Sequence, residues 1–435
     1  TTYKLTATTD SLTGSAGGDT FTGVLQANSA TGTTAAPGDS ISGGAGTDTL
    51  SISVAGDVGS ADYTLAALNL TDVEKVHLSN FDTDATFNNI VDTSLMTGLT
   101  HVGLSASAAE GDTTFSNVKN FVEADMMNGS ADLTVTYGTT VVAGTTDSQT
   151  LNVSNITAGT FTAAGVETVN VKTGLVASTL TDITAASATK LTVSGDTGLT
   201  ITNAQSAATI DASAMAGALT LKLGAAAQTI SGGTGVDTID MQGNLTFADT
   251  VTGGAGVDTL KMTAAGVIDA TAGTGELSGV SGFETIQVSS TADAASVDMT
   301  GVTGVTSLEA AANVGVFGVA GSSETNGDTV TFLLNGVSYT SAARASNAFE
   351  TIVATKINAI DGFTATAGTN NVTITNTSAS SEAVEFGSMT ITGTGTVATT
   401  GTTRYTNQSF VDLEAGTDVN VYSGDSVTVN LADAS

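Results

Sequence analysis

The sequence predicts a mainly β fold, a parallel β-helix or β-roll solenoid in which short strands stack coil upon coil. Three observations lead to this prediction. Short alternations of apolar and polar residues recur at steps of nine to twelve residues, glycine-rich turns separate many of them, and small residues prevail in a chain without tryptophan. Tight coils leave little room for large aromatic side chains, so this composition favours a solenoid. Tandem antiparallel β-sandwiches are the alternative, because they show strands at a similar spacing.

The strand rhythm is clearest in the middle of the chain. Its apolar positions are Leu151, Phe161, Val171, Leu180, Leu191, Ile201, Ile210, Leu221, Ile230, Ile239, Val251 and Leu260. No segment there keeps a helical period over three turns. The glycine-rich turns that begin at Gly232 and Gly253 are separated by two strand-and-turn steps, which matches one coil of a solenoid.

The glycine-rich turns repeat one frame four times. Each copy has a polar anchor, an apolar residue, a glycine turn and an aspartate nine residues after the anchor. The anchors and aspartates are Asp10 with Asp19, Asp39 with Asp48, Gln228 with Asp237, and Asp249 with Asp258. The last three copies contain a full Gly-Gly-x-Gly-x-Asp motif, whereas the first lacks the second motif glycine.

The chemistry of this frame predicts bound Ca²⁺. Glycine adopts positive φ without strain and lets a turn direct its carbonyls at one point, and calcium prefers six to eight oxygen ligands. The candidate metal ligands and turn residues are Asp10, Asp19, Asp39, Gly43, Gly44, Gly46, Asp48, Gly232, Gly233, Gly235, Asp237, Asp249, Gly253, Gly254, Gly256 and Asp258. Turns that bind no metal are the alternative, since glycine and aspartate are common turn residues.

The Gly-Gly-x-Gly-x-Asp motif and the two residues that follow it form an octapeptide. This octapeptide resembles the calcium-binding nonapeptide of RTX (repeats-in-toxin) proteins. That resemblance implies a secreted protein that depends on calcium. The copies here are dispersed rather than in tandem. This favours separate calcium sites that stabilise a surface scaffold over a tandem array that folds a toxin when calcium binds.

A second element follows two of the turns at a fixed distance. Glu74 follows Asp48 at the same separation along the chain as Glu284 follows Asp258, each within an apolar-Glu-x-apolar segment. Equal spacing indicates one structural module used twice. We expect these glutamates to be solvated strand residues; carboxylates that return towards a metal are the alternative.

The pattern of apolar and polar residues changes from Gly327. Two strands about an Asn335-Gly336 hairpin turn, a helix from Ala345 to Ala359 and two further strands form a ββαββ pattern. This unit resembles the hook-IN type domain of flagellins and related surface proteins, which implies a spacer or a protruding decoration.

The predicted domains are residues 1–145, an N-terminal β domain with RTX-like turns; 146–320, a β-solenoid with such turns; 321–390, the hook-IN-like unit; and 391–435, a C-terminal β segment.

The composition further narrows the classes of function that the protein can have. The 435 residues include 10 Lys plus Arg and 42 Asp plus Glu, a formal net charge of -32, with 40% hydrophobic and 12% charged residues. That balance is typical of a folded acidic protein rather than a disordered tail. Long stretches without Lys or Arg leave no basic groove for a phosphate backbone, so we expect no nucleic-acid partner. There is no apolar run long enough to span a membrane. The sequence starts at Thr1 rather than at a methionine, which is expected of a processed or trimmed form.

No catalytic signature is present. Cysteine is absent, and the sequence has no zinc-protease, nucleophile-elbow, phosphate-loop or dinucleotide motif. The two histidines, His77 and His101, are expected to be surface or strand-edge residues rather than a ligand pair. The sequence therefore predicts no enzyme.

The composition as a whole resembles that of the RTX-related surface-layer proteins of Gram-negative bacteria. This resemblance implies a structural subunit of a calcium-stabilised lattice or filament, secreted and held at the cell surface, with copies of itself as partner and cell-surface polysaccharide or lipopolysaccharide as a further one. A calcium-dependent adhesin stalk is the alternative, and a non-catalytic part of an RTX-type secreted hydrolase is the third reading.

Overall fold

A computed structural model provides the structure of the chain. It describes all residues except 27–30, 56–62, 66–67, 82–87, 265–266, 269–274, 291–295, 299–303, 312–313, 319, 323–328, 335–336, 344–348, 361, 369–370, 377–385, 393–395, 399–401, 405–408, 414–417, 422–427 and 432–435. The fold is mainly β, and parallel sheets form a β-solenoid of about 12 turns, as the sequence predicts. The chain divides into two compact units. The first comprises 1–239 with 253–256, and the second comprises 240–252 with 257–435.

The strands up to residue 231 are short and regularly spaced. They are β1 (Thr2–Lys4), β2 (Ser11–Thr13), β3 (Thr20–Gln26), β4 (Ser40–Ser42), β5 (Thr49–Ala55), β6 (Tyr63–Leu65), β7 (Asn69–Thr71), β8 (Lys75–Asn80), β9 (Asn89–Asp92), β10 (His101–Ser105), β11 (Thr113–Val118), β12 (Glu123–Gly129), β13 (Leu133–Tyr137), β14 (Ser148–Ile156), β15 (Thr160–Ala163), β16 (Thr168–Thr173), β17 (Ser178–Leu180), β18 (Asp182–Thr184), β19 (Lys190–Gly195), β20 (Leu199–Gln205), β21 (Thr209–Met215), β22 (Leu219–Leu223) and β23 (Thr229–Ser231).

Among the described residues, the remaining elements include one α-helix and one short 3-10 helix, the latter at Glu276–Gly279. They are β24 (Thr238–Asp240), β25 (Thr250–Thr252), β26 (Thr259–Ala264), β27 (Val267–Ile268), β28 (Val280–Ser281), β29 (Thr285–Ser290), β30 (Ser296–Asp298), β31 (Ser307–Ala311), β32 (Val314–Gly318), β33 (Ala320–Ser322), β34 (Thr329–Leu334), β35 (Val337–Thr340), α1 (Phe349–Ile357), β36 (Phe363–Gly368), β37 (Asn371–Asn376), β38 (Phe386–Thr392), β39 (Thr396–Ala398), β40 (Thr402–Arg404), β41 (Ser409–Leu413), β42 (Asp418–Val421) and β43 (Thr428–Leu431).

One long parallel sheet, here called the main sheet, runs through the first unit. Its strand order there is β1-β3-β5-β8-β10-β12-β14-β16-β19-β21-β23. The intervening strands form a second parallel sheet in the order β18-β15-β13-β11-β9-β6 and two shorter ones, β2-β4-β7 and β17-β20-β22. Parallel pairing throughout this unit rules out the antiparallel β-sandwiches that were the alternative prediction.

The solenoid core is a stack of apolar rows. In the main sheet, Leu50, Val76, Val102, Ala124, Leu151, Val171 and Val193 are aligned strand to strand, and all are buried. The twelve apolar positions predicted from the strand rhythm are also all buried. Each coil thus gains its stability by covering the apolar side chains of its neighbours, as expected for a repeat structure.

The second unit combines parallel and antiparallel sheets. β26-β29-β31-β42 and β27-β30-β41-β43 are parallel, whereas β35-β34-β38 and β36-β37-β32-β40 pair antiparallel. The predicted ββαββ order is present as β34, β35, α1, β36 and β37. The described helix covers Phe349–Ile357 and ends two residues before the expected Ala359. Residues 345–348 of the expected helix and the predicted 335–336 turn lie outside the described residues. Buried residues from these elements form one apolar cluster, which includes Phe332, Val353, Ile357 and Ile374.

Candidate functional site

The first two glycine-rich turns lie on successive coils. β2 pairs in parallel with β4, and β3 with β5. The backbone N–H of Asp10 donates to Asp39 Oδ1 at 2.9 Å, and that of Asp19 donates to Asp48 Oδ1 at 2.7 Å. Each aspartate of the second turn therefore binds its counterpart one coil earlier. The structure brings these four predicted site residues together in two pairs, through backbone donors rather than around a common point.

The anchor residues close the small turns that precede them. Three anchors accept a backbone N–H: Asp10 from Thr6 (2.6 Å), Asp39 from Ala36 (2.8 Å) and Asp249 from Thr246 (2.8 Å). Gln228, the fourth anchor, donates instead through Nε2 to the carbonyls of Gln205 at 3.0 Å and Ala207 at 2.9 Å. Its amide therefore serves a structural need that a carboxylate could not meet.

Two of the turn aspartates have both carboxylate oxygens engaged. Asp237 accepts the backbone N–H of Leu219 at Oδ1 and that of Gly233 at Oδ2, both at 2.8 Å. Asp19 Oδ2 accepts the backbone N–H of Ser15 at 2.5 Å, and its Oδ1 accepts from the amino group of Thr1 at 2.6 Å. The hydrogen bond from that amino group and the one from Ser15 lower the pKa of Asp19 to about 2. These carboxylates bind the protein's own donors.

Asp48 differs from these two aspartates. Its side chain is fully buried, Oδ1 accepts the N–H of Asp19, and Oδ2 has no hydrogen-bond partner. Gly43 lies beside it, and a β-carbon on Gly43 would lie 2.5 Å from Asp48 Oδ2 and 1.8 Å from the carbonyl oxygen of Asp72. Two oxygens from different coils therefore pack closely against Gly43. A buried carboxylate oxygen without a donor is costly, and a bound cation would offset that cost at Asp48.

The motif glycines serve two different purposes. Gly44, Gly46, Gly254 and Gly256 have positive φ, as the sequence frame predicts. Gly232, Gly233 and Gly235 do not; a β-carbon on them would lie 1.8 to 2.4 Å from backbone oxygens of other coils. Gly43 belongs with this second group, and the carbonyl of Gly253 is the oxygen nearest to Gly232. At these positions glycine is required because two backbones approach closely.

Glutamates complete a ladder of carboxylates that join one coil to the next. Each accepts a backbone N–H at Oε2: Glu74 from Asp48 (2.7 Å), Glu167 from Asp147 (2.9 Å) and Glu284 from Asp258 (2.8 Å). The equal spacing of Glu74 and Glu284 from their turns therefore marks one structural module. The expectation that these glutamates are merely solvated strand residues is wrong, because each side chain turns back to satisfy a backbone donor.

The aspartates of the turns do not converge on one point. Across the part of the chain that the structure describes, no three His, Asp or Glu side chains are arranged to hold a metal ion. A calcium ion at these turns would thus take most of its ligands from backbone carbonyls and water. The donor set at Asp48 fits such an ion, because a buried carboxylate oxygen there has no hydrogen-bond partner.

Both histidines lie on the outward face of the main sheet and contact carboxylates that the sequence did not single out. His77 Nε2 lies 2.8 Å from Asp125 Oδ2, and His101 Nε2 lies 3.7 Å from Glu123 Oε2. Asp125 and Glu123 also share one amide, because Asn152 Nδ2 donates to both at 2.7 and 2.8 Å. The spacing of the two histidines along the chain carries no signal for these partners, because coil length varies.

The pKa of Asp125 reflects this surrounding. Burial acts to raise it, but the hydrogen bonds from His77 and Asn152 outweigh burial and hold the pKa of the carboxyl below its usual value. Asp125 is therefore ionised in the folded protein over the physiological range.

Comparison with known proteins gives no family assignment. No protein-family model matches the chain, and no curated sequence matches it. Among the described residues, none of the helices has the length and apolar character needed to cross a membrane.

Proposed function

We propose that this protein is a structural subunit of an extracellular surface layer or filament, and that calcium stabilises its coils at the Asp48 turn. The observation that carries the proposal is the buried, unpartnered Oδ2 of Asp48 beside Gly43. A long stack of coils joined by carboxylates suits a scaffold, since its regular faces are available for contacts with further copies. Acidic copies approach one another more readily when cations reduce their repulsion.

Calcium suits the Asp48 turn better than the Asp237 turn for a simple reason. A hard cation needs oxygen ligands that are not already occupied by N–H donors. Asp48 keeps one such oxygen, and the carbonyl of Asp72 lies nearby on the next coil. Asp237 keeps none that is free of a backbone donor, which makes it the natural control.

Thermal unfolding in calcium and in EGTA tests the proposal. A ligand that binds only the folded state adds about 3 to 4 kcal/mol at 100 to 1,000 times its dissociation constant, so calcium should raise the Tm of the wild type. Asp48→Asn should abolish this calcium-dependent rise, whereas Asp237→Asn should lower the Tm in both solutions and keep the rise. A wild-type Tm that EGTA leaves unchanged would refute the calcium proposal.

A calcium-dependent adhesin stalk is the second candidate. The observation in its favour is the ββαββ segment, whose elements share an apolar cluster of their own. A segment with its own core is suited to act as a binding module that the stalk presents. Electron microscopy of purified protein separates the two. Ordered sheets or fibres on addition of calcium support a lattice subunit, and single rods that bind a cell surface without assembling support the adhesin.

A further inference from the structure

The charges on the outward face of the main sheet are unusual for so acidic a chain. Two lysine–carboxylate ion pairs lie there, Lys172–Glu123 and Lys190–Asp211, and His77 and His101 contact Asp125 and Glu123. The strands from β8 to β21 carry outward Lys75, Lys172 and Lys190 against Glu123 and Asp211, while the side chain of Asp125 is only 3% exposed. We call this surface the mixed-charge face. Its charges nearly balance, whereas the chain as a whole has a net charge of -32.

The parallel register arranges these residues in two straight rows. One row is Lys75, His101, Glu123, Thr150, Asn170, Thr192 and Asp211. The other is His77, Gly103, Asp125, Asn152, Lys172 and Ser194. Gly103 has no side chain between His77 and Asp125, which lets the imidazole reach across to the carboxylate.

The charges at the two ends of the first row have opposite signs about β14. Lys75 lies three strands before β14, and Asp211 lies three strands after it in the same row. Glu123 lies one strand before β14, and Lys172 of the other row lies one strand after it. Asp125 has a side chain only 3% exposed and is no part of this surface. Asn152, on β14 itself, is uncharged, and its amide hydrogens are bound to the two carboxylates on β12. A face with this pattern is complementary to its own inverted copy.

We propose that the mixed-charge face is the contact between two copies of this chain, related by a two-fold axis that runs along β14. In this arrangement Lys75 meets Asp211 of the second copy, and Lys172 meets Glu123 on β12. Such an interface is isologous, with each pair occurring twice. The inference rests on the proposed assembly of the protein and adds the surface through which copies meet.

The size of the face suits one contact among several in an assembly. Six strand steps of about 4.8 Å give a length of about 29 Å, and three outward positions per strand give roughly 400 to 500 Å² per copy. That is at the low end for specific interfaces, so a weak dimer is expected. Lys172 and Lys190 have side chains 52% and 43% exposed, which leaves them free to reach a partner.

A charge swap tests this geometry. Lys75→Glu and Asp211→Lys each place like charges opposite one another twice per dimer and should weaken dimerisation about ten-fold or more. The double variant Lys75→Glu/Asp211→Lys should restore it. Because the two positions are about 29 Å apart in one chain, rescue cannot come from a pair within the monomer. Lys222→Glu, on a different sheet, is the control and should dimerise like the wild type.

Sedimentation velocity over a concentration series at low salt, in EGTA, provides the measurement, and circular dichroism confirms that each variant is folded. EGTA separates this test from the calcium proposal, which is read from the Tm. A monomeric wild type, or a folded double variant that stays as weak as the single ones, would overturn the inference. So would a wild-type face that binds an acidic polysaccharide while the protein remains monomeric.

Discussion

The backbone N–H of Asp48 donates to Oε2 of Glu74, one coil further along the chain, at 2.7 Å. The same relation joins Asp258 to Glu284 in the second unit. A corner of a solenoid has no neighbouring strand to accept its N–H groups, and a buried donor without an acceptor is costly. Side-chain carboxylates therefore take the place of ladder carbonyls at the corners. This explains why an acidic residue recurs where the fold turns.

Removing the Glu74 carboxylate should destabilise the first unit. Glu74→Ala leaves the N–H of Asp48 without its acceptor and is expected to cost about 1 to 3 kcal/mol of unfolding free energy. Urea denaturation followed by circular dichroism measures the change. Glu110→Ala is the matched control, because the side chain of Glu110 makes no hydrogen bond to the described residues. Equal losses in the two variants would show that the carboxylate ladder contributes nothing to stability.

Glycine at the close approach between coils should be indispensable. A β-carbon at Gly43 would overlap the backbone oxygen of Asp72, which cannot move without displacing its coil, so Gly43→Ala should cost at least about 3 kcal/mol. At Gly17 nothing lies within 4 Å of the same added atom and φ is not positive. Gly17→Ala should therefore be neutral or stabilise by up to about 1 kcal/mol, since alanine restricts the unfolded chain. Urea midpoints that fall equally would contradict this distinction.

The acid stability of the protein should depend on Asn152. Because the pKa of Asp125 is lowered on folding, its contribution is fully present above its ordinary pKa of 3.8 and is lost as pH falls through the lower folded value. Asn152→Ala removes one of the hydrogen bonds that lower this pKa, so the acid-unfolding midpoint, followed by circular dichroism, should move to higher pH. Asn170→Ala is the control, since Asn170 bonds only the hydroxyls of Ser148 and Thr192. A midpoint that moves equally in both variants would contradict this role of Asn152.

The strands were predictable from sequence, but their register was not. Alternation places one side of each strand in the core, so positions such as Leu151 and Ile210 can be assigned without knowledge of their neighbours. Register depends on coil length, which changes along the chain. Lys75 aligns with His101, and His101 aligns in turn with Glu123, although the second step along the chain is shorter than the first.

This variation explains what the sequence could not predict about the sites. The contacts of His77 with Asp125 and of Asp19 with Asp48 depend on which residues coil length brings together, 48 and 29 residues apart. The motif located the aspartates of the turns, which in the structure are buried except for Asp10. It could not distinguish a carboxylate with both oxygens bound to N–H groups from one with an oxygen that accepts no hydrogen bond. That difference depends on which backbone donors the neighbouring coil presents.

Gln228 gives a direct test of that distinction. Completing the sequence frame with Gln228→Asp would place a buried carboxylate against the carbonyls of Gln205 and Ala207, which now accept hydrogen bonds from the amide. Like partial charges would then face one another, and we expect a loss of about 3 kcal/mol or more. Thr229→Asp puts the same charge on the exposed side of the same strand and should change stability by no more than about 0.5 kcal/mol. Calcium should not restore the Tm of Gln228→Asp; if it does, the anchor aspartates are metal ligands after all and the hydrogen-bonding role assigned to them is wrong.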